Sequence, residues 1–340
     1  MVRVVSVVPS TLDGALVSGE YSVLRAKDGL LLKYLDYFRH TDYFQMACFQ
    51  SSVGVAVEKM IFDLKNWLKI KLYLPPVIEQ RKIVDILATW DEAINKTEYL
   101  ISNLRERKWG LMQRLLTGKV RFMGFEKSKG MQDILFTKIP ADWEFTTFGE
   151  TFKLTSGSTP TRTRPENFVG DNLWITSAEL NYGIIDNSAE KITDEAIKSA
   201  NLKIFPVGTF LIAITGLEAA GTRGRCGILG KPAVFSQSCM AFSQNPKVET
   251  KYLFYYYLLY GNEIAFNFAQ GTKQQSLPGK ILSLVPFFFP KSLKEQQRIV
   301  EVLDACEKEI ALQVKKLVDL KQQKKGLIQK LLTGQIRVKV

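Results

Sequence analysis

The sequence predicts an α/β (α+β) chain of globular domains joined by two long antiparallel coiled-coil helices, with a pseudo-twofold internal repeat. Three observations carry this prediction. Residues 79–122 recur as residues 295–338 at a constant offset of 216, without a gap. Apolar residues inside each copy keep a three-four spacing over about four heptads. Residues 126–290, between the copies, alternate short apolar runs with turn-forming Gly, Pro and Asn.

The helices are the clearest elements. Identities between the copies include Glu79/Glu295, Gln80/Gln296, Ile83/Ile299, Leu87/Leu303, Leu104/Leu320, Leu115/Leu331, Gly118/Gly334 and Arg121/Arg337. The seam of the first copy runs through Leu87, Ile94, Ile101, Leu104, Leu111 and Leu115, and that of the second through Leu303, Ile310, Leu317, Leu320, Leu327 and Leu331. Polar residues break both seams at the same places, Thr97/Gln313 and Lys108/Lys324. Shared breaks imply one register in which each helix packs on the other. Pro75-Pro76 and Pro290 stop whatever precedes each helix. Ser292-Leu293-Lys294-Glu295 has the pattern of a capping box, and Gly118 and Gly334 stand where a left-handed C-cap is wanted. A helix from Glu79 to Leu116 would be roughly 57 Å long at 1.5 Å per residue.

Between the helices the pattern predicts strand over 144–154, loop over 156–160, a short strand at 174–177 and a helix at 194–200. Strand, turn and strand follow over 205–215, then a Gly-rich loop over 216–230 and an apolar aromatic helix over 251–268. Residues 1–74 read as the later part of a similar domain. Ala15-Leu16-Val17-Ser18 aligns with Ala233-Val234-Phe235-Ser236 at an offset of 218, and Tyr34-Leu35 with Tyr252-Leu253 at the same offset. The predicted organisation is therefore a partial first domain (1–74), a helix (75–125), a complete domain (126–290) and a second helix (291–340).

Composition narrows the chemistry. The 340 residues hold 46 Lys+Arg, 34 Asp+Glu and one His, for a net charge of +12. A single His, His40, leaves little room for a Ser-His-Asp triad or a His-rich metal site, and no metal site is expected. The cysteines Cys48, Cys226, Cys239 and Cys306 show no CxxC spacing and suit a reducing compartment, so a cytoplasmic location is expected. No apolar run reaches the roughly 18–20 residues that span a bilayer, so no membrane association is expected. The charge is uneven: residues 126–290 carry a net +1, whereas 75–125 and 291–340 together carry +9.

A globular domain followed by a long helix ending in LLTG, twice over, resembles the specificity subunit of type I restriction–modification enzymes. Ile139-Pro140-Ala141-Asp142-Trp143 resembles that family's IP-x-x-W, and Ser156-Gly157-Ser158-Thr159-Pro160 its SGGTP. Gly170-Asp171-Asn172-Leu173-Trp174-Ile175-Thr176 is similar to GD-I-W-I-T, and Leu74-Pro75-Pro76-Val77-Ile78-Glu79-Gln80 to LPP-x-x-EQ. Ser236-Gln237 resembles the NQ step. The resemblance implies two target recognition domains, each reading half of a split sequence in double-stranded DNA. It implies helices that set the half-site spacing and dock two methyltransferase (modification) subunits. It also implies a non-catalytic chain that binds no cofactor itself. Its partners would use S-adenosylmethionine for adenine methylation, and a motor–nuclease (restriction) subunit would use ATP and Mg²⁺ for cleavage. Against the family pattern the first domain is incomplete. A truncated, silent or phase-variable copy, acting as a half-site reader or through self-dimerisation, is therefore the alternative expectation. A coiled-coil adaptor that binds no DNA is the alternative of another class.

Enzyme motifs are missing where they would be needed. No [DNS]PP[FYW] methyltransferase motif occurs, since Pro75-Pro76 is preceded by Leu74 and followed by Val77. No P-loop occurs either, since Gly230-Lys231 is followed by Pro232. Base reading instead needs planar donors and amides on loops: Arg pairs with guanine, and Gln or Asn with adenine. The candidate DNA contacts are Lys153, Ser156, Thr159, Thr161, Arg162, Arg164, Thr176 and Ser177, then Thr222, Arg223, Arg225, Gln237, Lys273, Gln274 and Gln275. For any one of them a plain surface-loop role stands beside base contact. Basic residues on the helices, such as Lys321, are read either as a solvated face or as phosphate contacts without sequence information.

Overall fold

A computed structural model describes residues 6–19, 21–53, 61–125, 130–134, 137–219, 221–273 and 275–339. The first elements are helices α1 (Leu32–Phe38) and α2 (Asp42–Gln50), strands β1 (Ser52–Val53) and β2 (Ile61–Phe62), and helix α3 (Leu64–Trp67). The long helix α4 (Val77–Leu115) follows. Next come β3 (Met131–Ile134), β4 (Thr137–Pro140), β5 (Glu144–Thr147), α5 (Phe148–Thr151), β6 (Leu154–Ser156), β7 (Asn172–Ile175), β8 (Gly183–Ile185), β9 (Glu190–Ile192) and α6 (Asp194–Ser199). The chain continues with β10 (Phe210–Ala213), β11 (Cys226–Leu229), β12 (Ala233–Phe235), β13 (Cys239–Phe242), α7 (Thr250–Phe268), α8 (Gly279–Leu282), β14 (Pro286–Phe289) and the long helix α9 (Leu293–Leu332). No helix among the described residues is long and apolar enough to cross a membrane. The chain divides into two compact units, 1–105 with 309–340, and 106–308.

The unit formed by 106–308 is built on a five-stranded sheet in the order β6-β13-β10-β11-β8. Its central strands are short uninterrupted apolar runs, Phe210–Ala213, Cys226–Leu229 and Cys239–Phe242, and every residue in them is buried. Such runs fit strands covered on both faces. Helix α7 lies against β10 and β11. Its first half is apolar on all sides after Lys251, and Tyr252, Tyr255 and Tyr257 are almost wholly buried. A helix stretch apolar on all sides, as over Tyr252–Tyr257, belongs inside a core, while the later turns expose Asn262 and Glu263. A smaller sheet, β12-β7-β9, carries Trp174 and Val234 into a second cluster with Ile192 and Ala196.

The unit formed by 1–105 and 309–340 centres on Tyr34, Phe38 and Phe44, packed on Ile83, Val84 and Leu87 of α4 and on Ile328, Leu331 and Leu332 of α9. Ala15–Ser18, aligned in the sequence with β12, forms no strand here, and Leu16 is 99% exposed. The physical reason is partnership. In the other unit Ala233–Phe235 is held by parallel pairing with Leu173–Ile175, and no such neighbour stands beside Ala15–Ser18 among the described residues.

The repeat spends its identities on a shared set of bonds, each made inside its own unit. Gln80 Nε2 donates to Gly29 O and Pro75 O, and its Oε1 accepts from Leu31 N. Gln296 Nε2 donates to Lys247 O and Pro290 O, and its Oε1 accepts from Glu249 N. Arg337 grips Glu79, and Arg121 grips Glu295. Lys324 pairs with Asp91 and lies over the Tyr37 ring, while Lys108 pairs with Glu307 and lies over the Tyr255 ring. Gly118 and Gly334 both take positive φ, +68° and +74°, which ends each helix as the sequence anticipates. Of the seam residues, Leu87, Ile94, Ile101, Leu104, Leu115, Leu303, Ile310 and Leu331 are buried. Leu111, Leu317, Leu320 and Leu327 are half-buried.

Several sequence expectations need correction. The strand expected over 144–154 is interrupted by the turn of helix α5, which Thr147 and Glu150 cap reciprocally. The Gly-rich loop expected over 216–230 contains the buried strand β11, because Cys226–Leu229 is apolar enough to join the sheet. The capping box at Ser292 is half made. Ser292 Oγ accepts from Glu295 N at 3.4 Å, but the Glu295 carboxylate is held by Arg121.

Candidate functional site

Strand register decides which loops meet. Ser156 at the end of β6 pairs with Met240 near the start of β13, and Cys239 pairs with Ala213 at the end of β10. Ile212 of β10 pairs with Cys226 at the start of β11, and β8 begins beside it at Gly183. The loops after β6, before β13, after β10 and before β11 therefore leave one edge of the same sheet. Most of the sequence-derived candidates lie on them. Ile214 ties the group together: its N–H donates to Ser238 O, and its carbonyl accepts from Leu277 N of the 270–277 segment.

The first cluster joins the loop after β6 to the β12–β13 turn. Ser158 N donates to Phe235 O at 3.0 Å, and Trp174 Nε1 donates to Ser158 O at 3.2 Å. Gly157 has no room for a side chain, since a Cβ there would sit 1.9 Å from Phe235 O. This close approach is what the SGS motif needs glycine for. Thr159 Oγ1 donates to Gln237 Oε1. Thr161 bonds Thr163 through their hydroxyls at 2.9 Å. Arg162 is clamped by both Glu190 carboxylate oxygens, at 2.5 and 2.7 Å, and stacks over Phe168 and Trp174. The Arg162 clamp holds the Glu190 carboxyl below its usual range. Arg164 is exposed. Thr176 and Glu179 form a capping box, and Ser177 N donates to Ser238 Oγ at 3.1 Å.

The second cluster joins 217–225 to 270–277. Arg223 folds back on its own loop, with Nε donating to Leu217 O and Nη2 to Glu218 O, both at 2.9 Å, and it stacks over Phe266. Thr222 Oγ1 donates to Ala219 O, and Arg225 Nε donates to Gly221 O. Gln275 N donates to Glu218 Oε1 at 2.7 Å. Lys273 is exposed, and Gln274 lies outside the described residues.

Lys153, Ser156 and Gln237 do something different: they line one open groove of about 790 Å³, together with Lys280. Sequence reading missed Lys280, which sits in the short turn of α8 and carries no motif. It also missed Glu190, the partner of Arg162, and Tyr182, whose hydroxyl donates to Arg223 O at 3.4 Å. Tyr182 has a positive φ of 58°, which no local sequence pattern announces.

Comparison with known proteins adds three findings. The type I restriction modification DNA specificity domain family matches residues 140–322. Two curated relatives from Methanocaldococcus jannaschii are each 26% identical to the chain. They are a putative type I restriction enzyme MjaX specificity subunit, over 294 residues covering 84% of this chain and 63% of the relative, and the type I restriction enzyme MjaVIII specificity subunit, over 291 residues covering 83% and 65%. The chain thus spans just under two thirds of the length of these relatives. A solved structure described as the basis of complex assembly and conformational transition of the type I R-M system matches with a TM-score of 0.65 at 21% identity. That match covers 97% of this chain and 78% of the other.

Proposed function

Because the chain belongs to the type I restriction–modification DNA specificity family, we propose that it is a non-catalytic, sequence-specific reader of double-stranded DNA. In this reading residues 126–290 form a complete target recognition domain and residues 1–74 a partial one. Residues 75–125 and 291–340 are spacer helices paired as an antiparallel coiled coil. The cross-helix pairs Asp91–Lys324 and Glu98–Lys321, whose numbers run in opposite directions, support that pairing. The helices set half-site spacing and dock two methyltransferase subunits. S-adenosylmethionine, ATP and Mg²⁺ act in the modification and motor–nuclease partners, and the assembly works in the cytoplasm.

The observation that carries the reading is the convergence of the candidate loops at one edge of the β6-β13-β10-β11-β8 sheet, inside the region matched by the family. Loops on a rigid scaffold are where binding residues are found. The purified chain is expected to lack methylation activity and to confer sequence-specific adenine methylation when mixed with its modification subunit. Methylation without sequence preference by that mixture would refute the reading.

A further inference from the structure

The groove beside the β12–β13 turn is lined by positive charge. Lys153 and Lys280 line it, and no carboxylate does. Neither lysine forms an ion pair among the described residues, whereas Arg121, Arg162, Lys251 and Lys291 of the same unit all do. The groove therefore carries two positive charges with no carboxylate in its lining to balance them. Two lysines lining an open, carboxylate-free channel suit a phosphate backbone.

Gln237 stands on the groove wall at an exposed position of a rigid turn. Ser236 and Ser238 bond each other at 2.6 Å, and Ser238 Oγ accepts from Ser177 N. Gln237 Oε1 accepts from Thr159 Oγ1, which orients the amide. Its Nε2 hydrogens have no partner among the described residues, and Oε1 keeps a second lone pair. A donor beside an acceptor on one plane is the complement of adenine N7 and N6 in the major groove. The guanidinium groups of Arg162 and Arg223 are instead committed to Glu190 and to loop carbonyls.

We propose that this groove seats one strand of the DNA backbone through Lys153 and Lys280, and that Gln237, aimed by Thr159, reads an adenine beside it. The proposal rests on the DNA-reading function above and names the residue and base within it. The test is selection of bound duplexes from a random-sequence pool by the full chain, followed by sequencing and by titration at several salt concentrations. Wild type is expected to enrich a motif containing adenine. Gln237→Ala should reduce the adenine preference at one position by about tenfold to a hundredfold. Gln237→Glu should move that position toward cytosine, whose N4 amine a carboxylate accepts, a change that misfolding cannot mimic. Lys153→Ala and Lys280→Ala should keep the motif, bind more weakly and each lower the salt slope by about 1. An unchanged motif in both Gln237 variants, or an unchanged salt slope in both lysine variants, would overturn the inference alone. A wild-type chain that enriches no motif would overturn the DNA-reading function and the inference with it.

Discussion

The two units make the same ion pair in different surroundings. Arg121 meets Glu295 with its side chain 6% exposed, and it also takes Asp142 at 2.9 Å. Arg337 meets Glu79 with its side chain 67% exposed. The glutamates are equally buried, at 2% and 1%. The difference therefore lies in the arginine and in Asp142, the acidic residue of the Ile139–Trp143 motif. A repeated residue pair does not carry a fixed energy. Burial and the second carboxylate make Arg121 an interior anchor, while Arg337 stays a solvated clasp.

Breaking the anchor is expected to have the largest effect. Arg121→Met leaves Glu295 and Asp142 without their counter-charge and should cost about 3–5 kcal/mol, read by urea denaturation. Arg337→Met should cost clearly less, and equal losses would erase the contrast. The glutamine clamps come next. Gln296→Ala and Gln80→Ala each strand backbone groups at a helix entrance and should each cost about 2 kcal/mol. Because the two clamps make the same bonds, a loss confined to one would show that the repeat is not energetically matched. Lys321→Ala removes a half-exposed pair with Glu98 and should change stability by less than about 1 kcal/mol, measured in the same denaturation series.

The smallest effect is one of pH. The Arg337 hydrogen bonds hold the Glu79 carboxyl below its ordinary value of 4.5. A lowered folded-state pKa means the stabilisation is fully present above 4.5 and fades as pH falls through the lowered value. The stability gap between wild type and Arg337→Met should therefore be constant near neutrality and close on acidification. A gap that persisted in strong acid would assign Arg337 a packing role.

The helices were legible because their signals are local and repeated. A three-four spacing, a terminal LLTG and an offset of 216 need no tertiary knowledge. The pairings inside the repeat were legible only as identities. Glu79 and Arg337 stand at opposite ends of the alignment, and only the bond between them explains why both recur. The candidate loops were recognisable as loops, but their chemistry was not. Arg162 and Arg223 look like base readers until Glu190 and the 217–218 carbonyls occupy their donors. Lys280 looks like any surface lysine until the fold brings it and Lys153 into the lining of one groove.

The linear sequence by itself determined the two long helices, their ends, the central strand β10 and the family, because each depends on residue type and spacing along the chain. Only the tertiary structure decided which polar groups are already engaged and which remain open to a ligand. That depends on partners up to 258 residues away, as in Arg337 and Glu79, and on burial, which sets the strength of every charge interaction.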